Sequence, residues 1–144
     1  MMNSSVKSLT WAAIALLCIA PTACDRLPPR TPHKAARLVS GLSIPSSAKV
    51  LRSDEEWSEF NGDGHSKIEI ALDSASFSRV RRQAQGQGYR QLAATDSLSK
   101  FVHSIWGRNP VGLMQMNGAL DSGSQQLTIL DDQTRRVLVY TSIQ

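Results

Sequence analysis

The chain is poor in cysteine, histidine and aromatic side chains, and each shortage closes off some chemistry. Its two cysteines, Cys18 and Cys24, both precede residue 25, so the body of the chain has no thiolate nucleophile, no disulfide and no cysteine ligand for a metal. Its three histidines, His33, His65 and His103, are far apart and lack the paired spacing of a zinc site. No Gly-x-Ser-x-Gly elbow, phosphate loop or dinucleotide fingerprint occurs. The longest apolar run, Leu9 to Ala20, is broken only by Thr10, and at about a dozen residues it is short of the roughly 20 that a spanning helix needs. With three Trp, two Tyr and three Phe, most aromatic rings are expected in a core rather than at a binding surface.

The short apolar run nevertheless has a meaning. Lys7 precedes it and Pro21-Thr22-Ala23-Cys24 closes it before polar sequence begins, the pattern of an export signal. Two ways of processing fit. A general signal peptidase could cut after Ala20 or Ala23. Alternatively, Thr22, Ala23 and Cys24 match the end of the lipoprotein box, and residues 1–24 resemble the signal of bacterial lipoproteins, with Pro21 where that family carries leucine. The resemblance implies that Cys24 receives a lipid. It also explains why Cys24 would be the one thiol left after Cys18 departs with the signal, since a lone thiol in an oxidising compartment has no partner. Asp25, directly after the cysteine, resembles an inner-membrane retention signal. The expected location is the periplasmic side of a bacterial membrane, with a soluble periplasmic or secreted form as the alternative.

Residues 25–39 read as a basic, Pro-rich tether, with Pro28, Pro29 and Pro32 and with Arg26, Arg30, Lys34 and Arg37 facing one acid, Asp25. Such sequence stays extended and solvated. It also accounts for the formal net charge of +4. Five of the 16 basic residues and one of the 12 acidic residues precede Ser40, which leaves 11 of each in the remainder. A neutral domain does not suit nucleic acid.

Residues 40–144 suffice for one domain with one core. A first element is expected to start near Ala48, with Lys49 to Arg52 short and extended and Trp57 and Phe60 continuing or capping it. A turn at Asn61-Gly62-Asp63-Gly64 follows, then a strand in which Ile68, Ile70 and Leu72 alternate with Lys67, Glu69 and Ala71. The two strands can form a hairpin. Asp73 or Ser74 caps a helix carrying Phe77, Val80 and Ala84, stopped by Gly86 and Gly88. After a brief extended stretch at Tyr89 to Leu92, Thr95 or Asp96 caps a second helix with Leu98, Phe101, Val102 and Ile105 at spacings of three and four, ended by Gly107 and Pro110. Three strands with short turns close the chain. The expected fold is α+β, a small antiparallel sheet of four to five strands with two helices packed on one face.

Chemistry is harder to place. Asp63-Gly64-His65 invites a metal, but a calcium loop begun at Glu59 puts Ile70 where a bidentate glutamate is required, so a hairpin turn is the better account and no metal or cofactor is expected. Carboxylates of Asp54, Glu55 and Glu59 can pair only if the fold assembles them. Arg79, Arg81 and Arg82 form the densest cluster of charge, able to grip an acidic partner or simply to be the wet face of a helix. Trp57, Trp106 and Tyr140 are possible interface anchors, although core packing is the commoner use of such rings. No motif among these residues names an activity; a small domain on a basic tether in the expected compartment suits a non-enzymatic protein-binding module of the cell envelope, inhibitor-like or immunity-like by analogy with immunity lipoproteins and lysozyme inhibitors. The alternatives are an accessory or structural subunit of an envelope complex, or a small hydrolase.

Overall fold

The computed structural model describes residues 31–58, 63–92, 97–119 and 123–144. Cys24, Glu59, Phe60, Asn61, Gly62, Thr95 and Asp96 lie outside the described residues.

The first element is a helix, α1 (Pro32–Ser40), where an extended tether was expected. Its local signals are strong. Thr31 is the N-cap and accepts from Lys34 N, proline occupies the first turn, and Gly41 closes the helix at φ 68° with its N–H on Arg37 O. Ala36 is fully buried. Tyr89 donates its hydroxyl to Ser40 O at 2.7 Å, and Arg37 donates to Ile44 O at 2.6 Å. Residues 32–40, placed in the tether expected over 25–39 and at the start of the domain, are therefore a docked helix of the folded domain. Basic charge does not prevent a helix when one apolar stripe docks.

Strands β1 (Lys49–Trp57) and β2 (Gly64–Ala71) form the expected hairpin, with Trp57 opposite Gly64. Helix α2 (Ser74–Gly86) follows, capped by Asp73, which accepts from Ser76 N. That bond, more than any other contact, holds the Asp73 carboxyl below its usual range. Then come β3 (Arg90–Gln91), α3 (Ser97–Trp106), β4 (Gly112–Asn117), β5 (Gln125–Asp131) and β6 (Arg136–Ile143). All pairings are antiparallel and the order is β1-β2-β6-β5-β4-β3. Among the described residues the sheet thus has six strands rather than four or five, and three helices accompany it rather than two.

The helices do not share a face. Alternation along the strands sends side chains to opposite sides, and the buried residues form two clusters accordingly. Ile68, Ile70, Leu130, Val137 and Val139 pack with Ala36 of α1 and with Phe77, Val80 and Ala84 of α2. Met114, Leu127, Ile129 and Leu138 pack with Leu98, Val102, Ile105 and Trp106 of α3. The expectation of helices on one face is therefore corrected: α1 and α2 cover one side and α3 the other. The cause is visible in β5 and β6, whose successive residues Ile129 and Leu130, and Val137 to Val139, are all buried. Strands apolar on both faces require cover on both.

Candidate functional site

The helices leave part of the α1/α2 face uncovered. Beyond α1, toward the ends of β1, β2 and β6, lies a groove of about 310 Å³. Ala35, Leu38 and Val39 of α1 wall it, Val139 contributes to its floor, and Trp57 and Ile143 stand at the strand ends. Leu38 is 65% exposed, Ile143 44% and Trp57 42%. These are three of the five exposed large hydrophobic side chains among the described residues, and all three line this one groove. Scattered apolar surface is ordinary, whereas convergence is the signature of a contact site. Leu38 is exposed because the α1 stripe that docks runs through Ala36 and Ser40 instead.

A wider, shallower concavity of about 560 Å³ lies around the same strand ends and includes Glu56, Trp57, Asp63, His65 and Tyr140. His65 Nε2 is 3.7 Å from a Glu56 oxygen, and the Glu56 side chain is 84% exposed. A pair so open is a surface contact, not an oriented acid–base dyad. Gly64 lies beneath Trp57: a Cβ at this position would fall 2.7 Å from the indole ring, so the hairpin needs glycine here. Among the described residues, no three His, Cys, Asp or Glu side chains are placed to share a metal ion.

The strongest electrostatic feature is at the other end of the sheet, on the α3 side. Asp131, fully buried, accepts from Arg108 and, at 2.6 Å, from Thr134 Oγ1. The Gln133 N–H is 3.2 Å from its second oxygen. Glu69 Oε1 accepts from Arg108 Nη2 at 3.0 Å and from Arg136 Nη1 at 2.7 Å. Burial pushes the Asp131 carboxyl up, but the hydrogen bonds from Thr134, Arg108 and Gln133 outweigh it and leave the group below its usual range. Every charge here has an opposite partner, as a structural cluster requires.

The residues singled out in the sequence are dispersed. Arg79 and Arg82 are exposed on α2, while Arg81 is held by Asp132, with Nε at 2.8 Å and Nη2 at 3.2 Å from its two oxygens. Trp106 is 8% exposed and belongs to the core under α3, across the sheet from the arginines, so it is no surface anchor. Its indole N–H has no partner among the described residues. The groove residues that replace them, Leu38 and Ile143, were missed. Leu38 lay in the supposed tether, and only an apolar residue off the buried stripe of a recognised α1 would have drawn attention to it. Cys24 lies outside the described residues. No described helix is long and apolar enough to cross a membrane. Comparison of the chain with family models, with curated proteins and with solved structures finds no match.

Proposed function

We propose that this chain is an exported bacterial envelope protein, held at the periplasmic side of a membrane by lipid on Cys24, that works by binding another protein rather than by catalysis. The observation that carries the binding part is the groove beside α1. Leu38, Trp57 and Ile143 converge there with exposed apolar surface, and exposed aromatic and aliphatic anchors around a concavity are what a protein partner buries. The nearest titratable pair, His65 and Glu56, is solvated, which weakens the hydrolase alternative. Cys24 stands seven positions before Thr31, so an anchored domain would sit close to the lipid surface.

The experiment is an affinity capture from envelope extract with the wild-type chain and with Leu38→Asp and Trp57→Ala, each variant checked for an unchanged denaturation midpoint. One stoichiometric protein retained by the wild type and lost with both variants is the expected result. A bound protein indifferent to both variants, or no bound protein, would overturn the groove as the binding site. For the anchor, Cys24→Ser is expected to move the protein from the membrane fraction to the soluble fraction. A wild-type protein already soluble would exclude lipidation.

A further inference from the structure

Strand β1 forms one edge of the sheet, and its outer side pairs with nothing among the described residues. Eight of its nine residues are exposed. The distribution of charge along it is lopsided. Lys49 and Arg52 stand in its first half and Asp54, Glu55 and Glu56 in its second. A strand that begins basic and ends acidic is complementary to itself when a second copy runs antiparallel. We infer that β1 is a self-association edge, through which two copies of this chain join their sheets about a two-fold axis.

The hydrogen-bonding pattern narrows the register. Ser58 N donates to Asp63 O at 2.6 Å. In an antiparallel ladder the bonded residues alternate, so Glu56, Asp54 and Arg52 face β2 with their N–H and C=O groups. Those of Ser53, Glu55 and Trp57 point outward, and no described hydrogen bond occupies them. A two-fold partner must pair outward-facing residues with one another. Centring on Glu55 sets Asp54 against Glu56, and pairing Ser53 with Glu55 sets Asp54 against its own copy. Pairing Leu51 with Ser53 sets Arg52 against its own copy. Centring on Ser53 alone sets Arg52 opposite the Asp54 of the second copy, twice, at the non-hydrogen-bonded positions where cross-strand side chains come closest. Within one chain Arg52 and Asp54 already form an ion pair at 2.5 Å, with both side chains about half exposed. The two-fold pairing therefore exchanges partners without orphaning a charge. The irregularity between Val50 and Arg52 ends the regular edge at Leu51. This leaves a short contact, less than a standard interface of roughly 800 Å² per partner, and a correspondingly weak association.

The test uses the full chain with Cys18→Ser and Cys24→Ser, so that an introduced thiol is the only one. Ser53→Cys faces its own copy at a Cα separation of about 5.5 Å, within disulfide range, and mild oxidation is expected to give a covalent dimer. Glu56→Cys, displaced by six residues and therefore about 20 Å from its copy, is expected to stay monomeric. Adding Arg52→Glu to the Ser53→Cys chain places like charges opposite twice and should slow cross-linking about tenfold. Adding Asp54→Arg as well should restore it. Equal cross-linking of Ser53→Cys and Glu56→Cys, a rate indifferent to Arg52→Glu, or a chain that sediments as a monomer at millimolar concentration would overturn the inference. Capture of the thiol of the Ser53→Cys variant by a different protein would also overturn it, by assigning the edge to that protein.

Discussion

The two faces of the sheet are finished by different means. On one, α1 and α2 together lay Ala36, Phe77, Val80 and Ala84 on Ile68, Ile70, Leu130, Val137 and Val139, and apolar packing does nearly all the work. On the other, the single helix α3 covers Met114, Leu127, Ile129 and Leu138. Beyond it the face closes with Glu69, Asp131, Arg108 and Arg136. Strand β2 shows the same division within eight residues. Its Ile68 and Ile70 face the two helices, while Lys67 and Glu69 face the α3 side, where Lys67 reaches Ile105 O near the end of that helix. A cation suits the negative end of a helix. One helix is too narrow to cover six strands, so the uncovered part must be polar, and a polar group that remains buried must be paired.

The comparison can be broken most sharply at Ile129 and Leu130, neighbours in sequence on opposite faces and both fully buried. Each change to alanine is expected to cost about 2–5 kcal/mol, read from urea denaturation, and the double variant tests whether the two cores lose stability independently. A small loss at Ile129 alone would mean that the α3 face contributes little.

Asp131→Asn addresses the ion cluster. It is expected to cost about 3 kcal/mol at neutral pH by leaving Arg108 with one carboxylate fewer. The pH dependence follows from the lowered Asp131 carboxyl. Its stabilisation is present in full above the unfolded value of about 3.9 and is lost as pH falls through the lower folded value. Denaturation midpoints taken from pH 6 down to pH 2 should therefore drop more steeply for the wild type than for Asp131→Asn, and parallel curves would contradict the assignment. At the small end, Arg79→Ala and Arg82→Ala, exposed on the apolar-packed side, should each change stability by no more than about 0.5 kcal/mol. Tyr89 is buried on that side and its hydroxyl is pushed up to about 12 by burial; the titrations run far below even the ordinary tyrosine range, so its donation to Ser40 O does not contribute to their slope.

Much of the local structure was legible. The period-two alternation marked β2, a cap at Asp73 or Ser74 and the spacing of Phe77, Val80 and Ala84 marked α2, and short turns implied the β4-β5-β6 meander. Helix α1 escaped because Pro28, Pro29 and Pro32 beside four basic residues look like a solvated tether. Yet proline in a first turn after threonine is equally a helix start, and Gly41 is its stop. Of the candidate site, Trp57 was visible as an aromatic. Its convergence with Leu38 and Ile143 was not, because the three come from α1, β1 and β6.

From β1 onward the sequence by itself determined the kinds of element, their order and the turns between them, because caps, periodicity and positive-φ positions act over a few residues. Only the tertiary structure decided that Trp106 is core rather than anchor, that Arg81 is occupied by Asp132, that α3 lies opposite α1 and α2, and that β1 is left as an open edge. Those outcomes depend on contacts between elements separate in the chain, such as Arg81 with Asp132 and Ala36 with Val137. Such contacts are decided by which surfaces remain once the six strands have paired, and no local pattern specifies that.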